Sequence, residues 1–265
     1  MSQTNDHNRQ AWDERARRRR RHTVTATAAQ LKNPLPILDP EGWRDGPLTG
    51  RRVLCLASGG GLQSALCAAA GAVVTVVDLS PEMLALDEQV AARHGLKVRT
   101  VAASMDDLSA LGDASFELVL QPVSSCYVAE VARVYREVAR VLAPGGLYVS
   151  QHKQPVSLQA EAAPSARGYV LSEPYYRQGP LPEIGEGHRH READNLEFLH
   201  RWEELMGGLC RSGFVIENLS EPRHARVEAE PGSFEHRSCF APPYVKIKAR
   251  RIGAAQDAAK RLWVP

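Results

Sequence analysis

No stretch of this chain of 265 residues approaches the ~20 consecutive apolar residues of a membrane span. The polar, arginine-rich N-terminus has no apolar core of a secretory signal. Cysteine is sparse: Cys55, Cys67, Cys126, Cys210 and Cys239 are scattered, odd in number, and form no CxxC. That pattern speaks against a disulfide framework and for reduced thiols in a cytoplasmic protein. Excess charge is also missing. Thirty-three Lys and Arg against 31 Asp and Glu leave a net charge of +2, which gives no global pull toward nucleic acid or anionic lipid. With 43% hydrophobic and 24% charged residues, the chain reads as an ordinary soluble globular protein. Its length suits one large domain with additions or two small ones.

What is present is concentrated in residues 52–84, RVLCLASGGGLQSALCAAAGAVVTVVDLSPEML. An apolar run over 53–56 turns sharply through Gly59, Gly60 and Gly61. A small-residue helix follows over 62–70. A second apolar run, 73–77, ends on Asp78. Strand, glycine turn, helix, strand and acid make the layout of a half-Rossmann nucleotide site. Glycines admit close backbone approach. The helix start offers unpaired N–H groups and a positive dipole end. An acid at a strand tip accepts hydrogen bonds from ribose hydroxyls.

Upstream, residues 1–22 read as a charged helix, with Arg17 to Arg21 wrapping all round it. It is either a phosphate grip or a solvated helix. Residues 23–50, rich in proline and glycine, read as a non-regular connector packed through Leu35, Ile37, Leu38 and Trp43, and as a possible lid. Downstream, Ser80-Pro81-Glu82 starts a helix that runs to Gly95. Strands are predicted over 97–101 and 116–120. A helix over 127–141 turns Val131, Val134, Val138 and Val141 inward and stops at Ala143-Pro144-Gly145-Gly146. A fifth strand covers 147–150. Strict alternation implies a parallel sheet with right-handed crossovers. Residues 151–195 break the pattern, as an insertion at the carboxyl ends of the strands, where substrate specificity sits. Within it His188-x-His190 is too small a set for a metal site, and no metal is expected. A short extended piece over 196–201 and a helix over 202–211 precede a sixth strand, 214–219. Residues 245–249 alternate as a half-exposed strand whose lysines suit a sheet edge, and the two last strands make an antiparallel hairpin. The tail beyond about residue 251 reads as frayed.

These residues together resemble the class I S-adenosylmethionine-dependent methyltransferases, small-molecule type, similar to the ubiquinone/menaquinone methyltransferase-like group. The resemblance covers roughly residues 50–250. VLCLASGGG is similar to the family's first motif, Asp78 to its ribose-binding acid, Ser104-Met105-Asp106 to its adenine-reading loop, DASFELVL to the approach to the fourth strand, and REVARVLAPGGLYV to the turn into the fifth. It implies a Rossmann-like α/β fold with a seven-stranded, mostly parallel sheet, helices on both faces and an antiparallel terminal hairpin. It also implies a methyltransferase domain at 51–250, with 1–50 before it and a tail at 251–265. The cofactor implied is S-adenosyl-L-methionine, leaving as S-adenosyl-L-homocysteine. The residues that would line it are Ala57, Ser58, Gly59, Gly61, Asp78, Leu79, Ser104, Met105, Asp106 and Gln121. Two positions depart from the motif: Cys55 stands where the family has an acid, and Ala57 replaces its first glycine. The cofactor's amino-acid end then falls to Ser58, Gln63 or His22.

The family's chemistry is in-line attack on the sulfonium methyl, so a base is required only where the nucleophile starts protonated. The candidates are His152, His200 and Tyr127; Cys126 reads as a buried thiol or a methyl acceptor. The insertion's tyrosines suggest a small-molecule acceptor. RNA gripped by the arginine run, or a non-catalytic scaffold, are the alternatives. A monomer or homodimer with no membrane association is expected.

Overall fold

A computed structural model describes residues 2–185 and 189–252. Seven strands form one sheet: β1 (Arg52–Leu56), β2 (Val73–Asp78), β3 (Val98–Ala102), β4 (Phe116–Gln121), β5 (Leu142–Lys153), β6 (Phe214–Ser220) and β7 (Tyr244–Arg251). Their order is β3-β2-β1-β4-β5-β7-β6. The first five run parallel, and β7 lies antiparallel to both β5 and β6. The strand order reverses between β1 and β4, where an open α/β sheet leaves a crevice at its carboxyl ends.

Pleating decides the two cores. Leu54 and Leu56 face one side, with α6 (Val131–Val141) laid over them through Val131, Val134, Val138 and Val141. Val53 and Cys55 face the other, against α4 (Gln63–Ala69) and Leu84 of α5 (Pro81–His94). Helix α5 starts as its sequence requires: Ser80 caps it by accepting from Met83 N at 3.1 Å, and Gly95 ends it at φ 64°.

The expected Rossmann-like seven-stranded sheet with its antiparallel terminal hairpin is present. Several local expectations are corrected. The arginine run does not wrap a helix: α1 (Gln3–Arg17) stops at its first member, and Arg19 (φ 49°) and His22 (φ 72°) turn the chain away. Nor is α1 solvated all round, since Asn8, Asp13 and Ala16 are buried. The connector is partly regular, with α2 (Ala28–Lys32) and α3 (Leu35–Leu38); Leu35, Leu38 and Trp43 pack inward while Ile37 is exposed. Strand β5 runs straight through Pro144-Gly145-Gly146, absorbing them as a register shift against β4. Strand β7 is interior rather than an edge. Its outward cations are neutralised: Lys246 meets Glu41 at 2.8 Å, Lys248 meets Asp45 at 2.9 Å, and Arg250 pairs with Asp45 and Glu217. The helix expected over 202–211 is present, with a π-helical turn (Glu203–Gly207) leading into α8 (Gly208–Arg211), and the extended piece at 196–201 is not paired into the sheet. Among the described residues of the insertion, β5 continues to Lys153 and α7 (Pro155–Gln159) follows it. His188 and residues 253–265 lie outside the described residues.

Candidate active site

The glycine turn after β1 is clamped by two carboxylates. Asp78, at the tip of β2, accepts from Gly59 N at 2.8 Å and from Ser80 N at 2.9 Å. Asp87, fully buried on α5, accepts from Gly60 N at 2.9 Å and from the Ser64 hydroxyl. Burial raises Asp78, against the pull of these backbone N–H groups, and pushes Asp87 up to about 7. Gly59 is required sterically: a Cβ there would stand 2.8 Å from Met83 Cβ and 3.0 Å from the Asp78 carboxyl. Gly60 sits at φ 114°, closed to side-chain-bearing residues.

The turn opens onto a cavity of about 500 Å³. Ala57, Ser58 and Gly59 line it on the turn side, with Asp78 and Leu79 from the end of β2 and Ser104 and Met105 from the loop after β3. Gly61, Asp106 and Gln121 are off its wall. Gly61 packs on α5, where a Cβ would meet Leu86 O at 2.8 Å. Asp106 accepts from the Ser104 hydroxyl and faces Arg133. Gln121 stands behind the wall, donating to Ser124 Oγ at 2.8 Å and to Met105 Sδ at 3.4 Å.

Cys55 does not reach the cavity. Its thiol is buried against Cys67, 3.9 Å away between α4 and the sheet. Ser58, Gln63 and His22 do reach it, together with Arg21. Two wall atoms, Ser58 Oγ and Gln63 Oε1, are buried with no hydrogen-bond partner. A buried unpaired polar atom costs about 1–3 kcal/mol, so this wall fits a polar ligand. With the Asp78 carboxylate and the open glycine turn, it fits the nucleoside and amino-acid ends of S-adenosylmethionine.

Helix α1 roofs the cavity with Asn5, Asn8 and Trp12. Asn8 Nδ2 donates to the carbonyls of Tyr127 and Leu196, both at 3.1 Å, and Asn8 Oδ1 accepts from Leu196 N at 2.8 Å. Asp13 Oδ1 accepts from the Ser80 hydroxyl at 2.6 Å, and Trp12 sets its ring edge-on to Tyr127 at 5.6 Å.

Neither histidine expected as a base lies on the wall. His152 is sealed in the core, its Nδ1 on Ser125 Oγ and its Nε2 on Ser150 Oγ, each at 2.8 Å. Burial, helped by the neighbouring His200, lowers it to about 3, so it stays neutral and fully engaged. His200 is buried too, bonded to Ser125 O at 2.9 Å and lowered by desolvation. Tyr127 is on the wall, but burial raises its phenol and its hydroxyl donates to Glu192 Oε2 at 2.8 Å. It is therefore a donor rather than a base. The Cys126 thiol is buried and raised by burial.

The far end of the cavity holds charges that sequence reasoning passed over. Lys153 Nζ, at the end of β5, lies 2.8 Å from Glu192 Oε2 and 2.6 Å from Glu197 Oε1; Arg191 Nε meets Glu197 Oε2 at 2.9 Å. Burial alone would raise Glu192, yet the Lys153 ammonium holds it well below the usual carboxylate range. Burial would lower Lys153, and Glu197 and Glu192 together raise it instead. Of these residues, Lys153 and Glu192 line the cavity, beside Tyr244. Among the described residues no cluster of three or more metal-ligating side chains exists.

The crevice lies at the switch point of a 3-2-1-4-5-7-6 sheet, where open α/β proteins bind their ligands, and it marks the molecule as a Rossmann-like α/β protein. The family described as "Methyltransferase domain" matches residues 54–150. The relative described as "Uncharacterized methyltransferase YbaJ", from Bacillus subtilis (strain 168), is 34% identical over 230 residues, covering 82% of this chain and 90% of its own. A crystal structure of an S-adenosylmethionine-dependent methyltransferase from Mesorhizobium loti superposes with a TM-score of 0.65 at 25% identity, covering 83% of this chain and 100% of that one. The ubiquinone biosynthesis O-methyltransferase of Xanthomonas oryzae pv. oryzae (strain PXO99A) is 39% identical over 103 residues, which are 37% of this chain and 41% of that protein. The chain belongs to the S-adenosylmethionine-dependent methyltransferase family.

Proposed function

We propose that the protein transfers the methyl group of S-adenosyl-L-methionine to a small-molecule acceptor. The observation that carries this reading is the pairing of the Asp78 carboxylate with the unpartnered Ser58 and Gln63 oxygens on one cavity wall. Asp78 would hold the ribose hydroxyls, Ser104 and Met105 would flank the adenine, and Ser58, Gln63 and Arg21 would meet the amino-acid end. The cofactor supplies an already activated methyl; the chain's own task is to align the acceptor and keep water out.

A roofed cavity of about 500 Å³ supports a small acceptor. Four of the five arginines of the run are engaged within the chain, which argues against a free phosphate grip for RNA. Arg20 pairs with Asp194 at 3.5 Å, Arg17 with Glu82 at 3.2 Å and Arg18 with Glu14 at 2.5 Å, and Arg21 donates to Arg189 O at 3.1 Å.

The test is thermal unfolding with S-adenosylmethionine, S-adenosylhomocysteine, NAD and NADP, in wild type and Asp78→Ala. Ligand at 100 times its Kd adds about 2.7 kcal/mol, a rise of roughly 5–10 °C for a chain of this size. The expected result is a rise with the two sulfur nucleotides that disappears in Asp78→Ala. A rise with NAD alone, or none at all, overturns the proposal. Binding without methyl transfer to any member of a broad acceptor panel would leave a scaffold instead.

A further inference from the structure

Glu192 is unusual among the buried acids. Its Oε2 is saturated, by Lys153 at 2.8 Å and the Tyr127 hydroxyl at 2.8 Å. Its Oε1 points to His22 Nε2, 3.6 Å away. Among the described residues His22 is the sole imidazole on the cavity wall. Its ring is 43% exposed, in contrast to the sealed rings of His152 and His200. It is also held in a left-handed backbone conformation, φ 72°, which a non-glycine residue adopts at a cost of order 1–3 kcal/mol. The segment is fixed there by Thr23 N–H donating to Arg20 O at 3.2 Å and by the His22 carbonyl packed against Gly60. Strain maintained at a cavity wall points to a placed side chain.

Resting on the methyltransferase reading, we propose that His22 is the general base of this enzyme, that Glu192 is its positioning residue, and that the acceptor is a hydroxyl compound with an aromatic ring. The Glu192 carboxylate, 3.6 Å from Nε2, favours the tautomer with the proton on that nitrogen, which leaves the Nδ1 lone pair for the acceptor. Lys153 keeps Glu192 ionised, so the carboxylate oxygen that faces the ring remains an acceptor. In the reaction the acceptor O–H bond breaks and its proton passes to His22 Nδ1. The oxygen lone pair forms the bond to the methyl carbon, and the electron pair of the broken C–S bond stays on sulfur. The imidazolium then gives its proton to water.

A base of this kind serves a nucleophile that starts protonated. A neutral amine attacks through its own lone pair and a carboxylate carries no proton, so neither requires it. Trp12, Tyr127 and Tyr244 on the same wall provide ring faces and edges for an aromatic acceptor. The cavity wall that carries His22 also carries Glu192 from the insertion, Lys153 of β5, Tyr127 before α6, Tyr244 of β7, Asp78 at the tip of β2 and Arg21 of the same segment. Of the two acids, Glu192 is the one within 4 Å of the ring.

The test uses 4-nitrocatechol, whose phenolate is coloured, bound to the complex with S-adenosylhomocysteine. Nucleotide binding is measured first by calorimetry in wild type, His22→Asn, His22→Phe and Glu192→Gln, with melting curves to show that each variant is folded. The expected result is that wild type binds the probe and draws its ionisation to lower pH, giving about a tenfold larger phenolate fraction below the free probe's midpoint. Both His22 variants lose that gain and Glu192→Gln loses most of it, while nucleotide affinity changes less than threefold in Glu192→Gln. If the wild type binds the nucleotide but the probe fails to bind, or ionises identically in wild type and variants, the His22 proposal is overturned. If the wild type does not bind the nucleotide, the methyltransferase reading itself fails.

Discussion

The buried charge cluster at the far end of the cavity sets up a sharp stability experiment, replacement of Lys153 by Met. The Lys153 side chain is 3% exposed and its partners Glu192 and Glu197 are 10% and 0% exposed, so solvent screens little of the interaction. Removing one member of such a cluster strands the others as uncompensated buried charge, which costs about 3–5 kcal/mol. Two contacts survive: Tyr127 still donates to Glu192, and Arg191 still pairs with Glu197. They place the expected loss near the lower bound, about 3 kcal/mol, or roughly 6–12 °C in Tm for a chain of this size. The pH dependence is the stronger signature. In wild type Glu192 is depressed, so its stabilisation is present above the unfolded carboxylate value and is lost as pH falls through the folded one. Without Lys153 burial dominates, and the folded state prefers a protonated carboxyl. The deficit of Lys153→Met relative to wild type is therefore full at pH 8 and shrinks toward pH 5. Urea unfolding at both pH values measures it, and Lys153→Met combined with Glu192→Gln recovers much of the loss. A deficit under about 1 kcal/mol at pH 8, or one of equal size at both pH values, would refute the reasoning.

Asp87 carries the opposite pH signature. Burial raises its carboxyl to about 7, so the folded state holds a proton that the unfolded chain has released, and stability falls as pH rises through that window. Asp87→Asn keeps an acceptor for Gly60 N–H and a partner for Ser64 without the charge. Its stability relative to wild type is expected to improve by about 2 kcal/mol between pH 5 and pH 8, and an unchanged difference in urea unfolding at the two pH values counts against the assignment. Gly59→Ala forces a Cβ to within 2.8 Å of Met83 Cβ, an atom fixed by the backbone of α5. It is expected to lose about 1–3 kcal/mol of stability and to weaken S-adenosylhomocysteine at least tenfold by calorimetry, and wild-type affinity in this variant would show that the turn does not hold the ligand.

The sheet and its glycine turn were legible because they are local. Apolar runs, a proline after Ser80 and an acid at the end of β2 each act within a few residues, and together they fix the crevice where Asp78 stands. The rest of the site is assembled from residues far apart in the chain, and its signals are polar. Helix α1 read as a phosphate grip or a solvated helix because the side chains that dock it, Asn8 and Asp13, are hydrophilic; hydrogen bonds to Tyr127, Leu196 and Ser80 hold it, and no apolar stripe announces them. Lys153 and Glu192 lie 39 residues apart and each, alone, looks like a surface charge. His152 and His200 looked like bases because histidine after a strand often is one; paired serines and full burial make them structural here. One clue was available in the departure at Cys55, which left the cofactor's amino-acid end short of a partner and directed attention to His22. The structure puts His22 on the wall, but turns its ring toward Glu192. In the proposed reading the N-terminal segment has two parts: α1 roofs the cavity, and the backbone after it places the imidazole beside Glu192. Its removal would disturb acceptor chemistry and ligand enclosure together, and separating the two requires point changes at His22 rather than a truncation.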